Sequence, residues 1–275
     1  MRSSITLLLA ALAGCAAQIL PPSDPSFYFS PYQWLLNGTS ATTLNTGSYF
    51  RIMFTGNSVN LTFDVSMMVS PPSQLYYKLD NQGATHFTVA ALVPIAVPAN
   101  LTHGDVPYHF LEVFVKSMTE RANRWAAGVP STRVVFTGLA LEAGAKVTQP
   151  VPQNMNILIY GDSITEGVLT LGGSQPFDTD HNDASIVYSY RLAQLLGGEI
   201  GVIGFGATGL SRGGSGGVPA LGVSWNQLWD GVPRACCSGG GACLARVRAI
   251  DGVLFLTSPP PPSFCPQAHS RPSLM

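Results

Sequence analysis

Charge is scarce in this sequence: Asp, Glu, Lys and Arg together make up 11% of 275 residues. The 14 basic and 15 acidic side chains leave a formal net charge of −1. No basic face is available for a phosphate backbone, so nucleic acid is not an expected partner. Apolar runs long enough to cross a bilayer are also missing. The N-terminal one, residues 5–12, falls short of the roughly 20 residues a spanning helix needs, so no transmembrane segment is expected. Histidine and cysteine number five each. The Cys236-Cys237-x5-Cys243 spacing has no histidine nearby and fits no zinc pattern, and neither metal nor organic cofactor is expected. What is abundant is apolar residue, 46%, which rules out disorder over the whole chain. The length allows one large domain or two modest ones.

Arg2, the apolar run and the small residues through Ala17 have the layout of a secretory signal peptide over residues 1–17. Leu12-Ala13-Gly14-Cys15 also fits a bacterial lipobox, the alternative being a lipid anchor on Cys15. Three sequons, at Asn37, Asn60 and Asn100, favour a secreted glycoprotein. In an exported chain the cysteines left after cleavage are expected to pair, with the connectivity open.

Residues 25–148 read as short strands separated by Gly, Pro, Asn and Asp, at 49–54, 59–65, 75–79, 86–93, 109–115 and 133–141. Alternation such as Val59-Asn60-Leu61-Thr62-Phe63 is the period of a half-buried strand, and the regular spacing predicts a β-sandwich or jelly roll. The one helical stripe in this half is a weak one, around 118–125. After Pro150 and Pro152 the pattern changes. Asn156-Ile157-Leu158-Ile159-Tyr160 suits a parallel strand buried on both faces. A helix is predicted over 183–196, with Ile186, Tyr190, Ala193 and Leu196 on one face and Gly197-Gly198 as its stop. Strands at 201–203 and 252–256 complete an α/β layer over 153–256, and the Pro- and Ser-rich 257–275 is expected to be disordered.

The sharpest local signal is Gly161-Asp162-Ser163-Ile164-Thr165-Glu166-Gly167, directly after the first buried strand. Ligands of open α/β sheets bind at the carboxyl ends of strands. A serine there presents its hydroxyl to a cleft and its N–H to a developing oxyanion; the plain alternative is a Ser that caps the next helix. Gly204-Phe205-Gly206-Ala207-Thr208-Gly209 follows the second strand. It also fits the dinucleotide G-x-G-x-x-G pattern, but the glycine-rich run after it is a poor helix start and no acidic strand end follows at the right distance. Asp178-Thr179-Asp180-His181-Asn182-Asp183 imitates the start of an EF-hand loop, yet Asp183 stands where glycine belongs and Ser189 where the closing Glu belongs. A polar loop with Asp183 capping the helix is favoured. Asp162, Asp178 and His181 are candidate cleft residues. Trp34, Trp125, Trp225 and Trp229 are candidates for stacking on sugar rings, with core packing the default.

The strand with Gly161-Asp162-Ser163-Ile164 and the later Gly206 segment resemble the first two blocks of the SGNH (GDSL-type) hydrolases. A β-sandwich ahead of such a layer further resembles carbohydrate esterases that deacetylate polysaccharides. The resemblance implies a flavodoxin-like three-layer α/β fold, Ser163 as nucleophile, the N–H groups of Ser163 and Gly206 as oxyanion donors, and a carbohydrate or small ester as substrate. It also implies two features this sequence lacks, a Gly-x-Asn-Asp block and a late Asp-x-x-His block that supplies the base. His269 lies in a segment without a fold signal, and His86, His103 and His109 fall in the β-rich half. The expectation is an incomplete α/β layer with weak or absent hydrolysis. The alternative is a non-catalytic carbohydrate-binding module beside a vestigial hydrolase layer.

Overall fold

The computed structural model describes residues 18–99, 101, 107–125, 132–173, 176–220, 246–250 and 253–258. The chain is rich in sheet and poor in helix. Residues 1–17, Asn100, His103, Trp225, Trp229, His269 and all five cysteines lie outside the described residues.

The β-rich half forms two sheets of six strands each. One contains β3 (Leu35–Leu36), β4 (Ala41–Thr43), β11 (Val134–Leu141), β6 (Ser58–Phe63) and β9 (Leu92–Ala96), in that order, with β1 (Gln18–Leu20) also on β11. The other orders β12 (Val147–Thr148), β5 (Tyr49–Phe54), β10 (His109–Ser117), β7 (Gln74–Leu79) and β8 (Thr85–Thr88), with β2 (Tyr28–Phe29) on β5. Every pairing in both sheets is antiparallel. Alternate residues of the longer strands meet in one shared core, where Phe50 stacks on Phe136 with ring centroids 4.3 Å apart. Gly138 is required at a bulge of β11. Its φ of +144° is open to glycine, and a Cβ would stand 2.6 Å from the Leu20 carbonyl oxygen of β1.

Strand β10 is buried along most of its length because both faces are covered. Leu111, Val113 and Val115 enter the shared core, whereas Phe114 faces the second half of the chain. There β13 (Asn156–Gly161) and β14 (Glu199–Gly204) pair in parallel. Ile157, Ile159, Ile200 and Val202 face the β-rich half together with Tyr190 and Ala193 of α3 (Tyr188–Leu196). Leu158, Tyr160 and Ile203 face the other way, against Phe205, Val218, Tyr32 and Trp125. Burial on both faces explains the continuous apolar runs.

Four expectations need correction. The predicted strand 86–93 is two strands, because β8 serves one sheet and β9 the other; the chain crosses between them at 89–91. The predicted helix 183–196 begins only at Tyr188: Asp183 Oδ1 accepts the Ser185 N–H and Oγ–H at 2.8 and 2.6 Å, an Asx turn that holds the chain out of helix before it. Of its expected apolar face, Tyr190 and Ala193 are buried but Ile186 and Leu196 are exposed. The stripe at 118–125 forms no helix; its backbone bonds elsewhere, Arg124 N–H to the Gly216 carbonyl at 2.8 Å. Finally, the strand expected at 252–256 is β16 (Val253–Ser258), which runs antiparallel to β13 and forms a hairpin with β15 (Arg246–Ile250). The third sheet is therefore mixed rather than parallel throughout.

Candidate active site

Ser163 opens a single helical turn, α1 (Ser163–Glu166), immediately beyond the carboxyl end of β13. The helix cap is the preceding residue: Asp162 Oδ1 accepts the Ile164 N–H at 2.9 Å. Asp162 is thus committed to the turn, and the capping role open to Ser163 is already filled. Ser163 is half-buried and its Oγ makes no hydrogen bond among the described residues. Gly161 keeps the turn tight, because a Cβ there would collide with the Thr165 side chain, whose Oγ1 meets Tyr188 Oη at 2.8 Å. Exposed Ile164, Leu169, Leu171 and Leu210 give α1, the loop after it and the turn beyond β14 apolar surface.

Gly206 lies just beyond the parallel end of β14, in a turn closed by the Thr208 N–H on the Phe205 carbonyl. Its own N–H is already engaged, donating to Glu166 Oε2 at 2.8 Å. The other Glu166 oxygen accepts from Arg124 Nη2 in a fully buried ion pair. Glu120 adjoins from the same loop as Arg124; a side chain on Gly206 would run into its carboxylate. Burial, then the nearby Glu166 carboxylate, pushes the Glu120 carboxyl upward. This Arg124–Glu166–Gly206 arrangement escaped the sequence reading. Glu166 carries no motif of its own, and Arg124 is some forty residues away in sequence.

The remaining expected site residues have other partners. Asp178 and His181 sit on the short helix α2 (Asp178–His181) with Asp-x-x-His spacing. The Asp178 carboxylate accepts from Thr119 Oγ1 and Glu120 N–H at 2.9 and 2.8 Å, tying α2 to the loop after β10. His181 Nδ1 lies 2.8 Å from the Gly172 carbonyl oxygen. No group of metal-ligating side chains occurs among the described residues. Trp34 is a core residue, donating to Ser30 Oγ and the Tyr49 carbonyl, and Trp125 packs edge-on against Phe205. Asn37 is exposed, its Oδ1 closing a turn with Thr39 and Ser40, and Asn60 is half-buried in β6. Among the described residues no helix is long and apolar enough to cross a membrane.

The fold as a whole is also found in known structures. A family two carbohydrate esterase from Cellvibrio japonicus superposes with a TM-score of 0.59 at 20% identity, over 72% of this chain and 55% of that one. The chain resembles the family two carbohydrate esterases. A member from Clostridium thermocellum, solved in complex with cellohexaose, gives 0.53 at 19% identity over 70% of this chain and 55% of its own. An acetyl xylan esterase from the rumen bacterium Butyrivibrio proteoclasticus gives 0.55 at 13%, over 72% and 51%. This chain therefore spans between half and three-fifths of the length of these esterases. No protein-family model matches it, and no curated protein does.

Proposed function

We propose that the chain is a carbohydrate esterase of the SGNH type, exported, with a β-sandwich ahead of an α/β layer, and that Ser163 is its nucleophile toward acetyl esters. The observation that carries this reading is the Ser163 hydroxyl, at the end of β13 and unpartnered because Asp162 does the capping. The acyl group would pass to Ser163 Oγ, with release of the sugar hydroxyl, and water would then free acetate. The Ser163 N–H is the oxyanion donor the reading retains; Gly206 would join it only by leaving Glu166.

Turnover is slow in this reading. Serine needs a base to lose its proton at neutral pH, and no described residue hydrogen-bonds Ser163 Oγ. The engaged Gly206 N–H supports the same conclusion and favours the second reading, a carbohydrate-binding protein without catalysis. Incubation of the full chain with p-nitrophenyl acetate, followed by mass spectrometry of its peptides, separates the two. We expect slow acetylation of Ser163, absent from Ser163→Ala, with catalytic turnover several orders of magnitude below that of an enzyme with an intact Ser–His pair. Acetyl spread over other residues and unchanged in Ser163→Ala would leave only the binding reading, and rapid turnover abolished by that substitution would overturn the inactivity.

A further inference from the structure

At the opposite end of β13 from Ser163, a cavity of about 480 Å³ opens between the β-rich half and the α/β layer, a size typical of small-molecule sites. Its floor is a row of three charged residues on neighbouring strands. Arg51 of β5 is opposite Glu112 of β10, which is opposite Lys78 of β7. The guanidinium is shared between two acids, Arg51 Nε to Glu112 Oε2 at 2.7 Å and Nη1 to Glu199 Oε1 at 2.8 Å. Lys78 has no carboxylate within ion-pair distance among the described residues; its ammonium lies 5.3 Å from the Tyr76 ring centroid. Above this floor, from the segment before β13 and from α3, stand Gln153 and Gln194. Both are exposed, and neither side-chain amide bonds to a described residue. Phe110 and Val151 add apolar surface.

This lining selects by charge. Arg51, Glu112 and Lys78 line the cavity and the buried Glu199 behind Arg51 balances the fourth charge, so an anionic ligand meets the two acids around Arg51, and a cationic one meets Lys78. The groups left free are the Lys78 ammonium and the two carboxamides, which together donate and accept several hydrogen bonds. Donors and acceptors around an apolar wall match the equatorial hydroxyls and C–H faces of a sugar ring. We propose that this cavity is a binding site for a neutral polyhydroxyl ligand of about one or two pyranose rings, separate from Ser163 and independent of any hydrolysis there.

Calorimetric titration of the full chain with xylobiose, cellobiose, glucuronate and glucosamine tests the proposal. We expect the two neutral sugars to bind with Kd on the order of 1 mM and the two charged sugars at least about fivefold more weakly. Lys78→Met, and Gln194→Trp, which fills the opening, should each weaken neutral-sugar binding at least about tenfold, whereas Ser163→Ala should leave it unchanged. Should the tryptophan variant fail to fold, Gln153→Ala combined with Gln194→Ala replaces it, with the same loss expected. No saturation by either neutral sugar up to about 50 mM would overturn the proposal. So would tighter binding of glucuronate, or binding that survives the cavity substitutions but is lost on Ile164→Glu beside Ser163. Failure of the esterase reading shows separately, as absent Ser163 acetylation with sugar binding intact.

Discussion

The two halves of this protein bury polar groups in opposite ways. Between its two sheets the β-rich half packs almost purely apolar side chains, with Phe27, Phe50 and Phe136 in mutual contact and Phe63 against Phe136. The second half buries two glutamates, Glu166 and Glu199, both fully inaccessible. Each is matched by an arginine of the β-rich half: Arg124 for Glu166 at the Ser163 end of β13, Arg51 for Glu199 at the other end. In these two contacts across the halves the second half supplies the anion and the β-rich half the cation, although Arg51 also pairs with Glu112 of its own half. The first half thus has a core complete in itself, whereas the second depends on its neighbour to neutralise buried charge. A buried charge without its partner is among the costliest defects in a protein.

The contrast can be broken most sharply at Arg124. Arg124→Met leaves Glu166 buried and unpaired, and should cost about 3–5 kcal/mol in urea unfolding. Adding Glu166→Gln removes the stranded charge while keeping an acceptor for the Gly206 N–H, and most of the loss should return. If the single and double variants were equally unstable, the ion pair would not be what joins the halves. A smaller effect is expected at the other tether. The Tyr49 hydroxyl donates to Glu199 and accepts the Ile200 N–H, while its ring stacks in line with Phe114 and Tyr76. Tyr49→Phe keeps the stack and loses the hydrogen bonds, for about 1.5–3 kcal/mol. A change within about 0.5 kcal/mol would show that stacking alone holds this contact.

The smallest effect sharpens the comparison through pH. Glu120 holds its proton more tightly in the folded protein, because of burial and the nearby Glu166. As pH rises past the ordinary glutamate value of about 4.3, the unfolded chain releases that proton first. The Glu120 contribution is therefore fully present below that value and is lost as pH rises through the elevated folded one. Glu120→Gln should be more stable than the parent at pH 7 and match it near pH 4, a difference readable in urea midpoints. A difference that grew toward acid would contradict the assigned direction. Lys116 is shifted downward by its burial, so its destabilising share is present at low pH and disappears above the ordinary lysine range, outside this window.

Much of the fold was legible because period and composition are local properties. Alternation in 59–63 located β6, the unbroken run 156–160 located β13, and Gly197 ended α3 with its N–H on Ala193. The division of 86–93 was not legible, since which sheet a strand joins depends on distant partners. Nor was the start of α3, where an Asx turn at Asp183 competed with helix and won. At the candidate site, the position of Ser163 was readable from the strand before it. The fate of the Gly206 N–H was not, because its acceptor is chosen by a carboxylate that Arg124 holds in place.

By itself, then, the order of residues determined which segments become strands, where they stop and which serine stands at the end of a buried one. Tertiary structure alone decided which charges meet: that Arg51 and Arg124 neutralise acids of the other half, that Gly206 donates to Glu166, and that Lys78 and two free carboxamides face one cavity. The physical reason is range. Backbone preference and apolar periodicity act over a few residues, whereas the pairing of a buried charge is settled only when segments far apart in sequence close around it and exclude water.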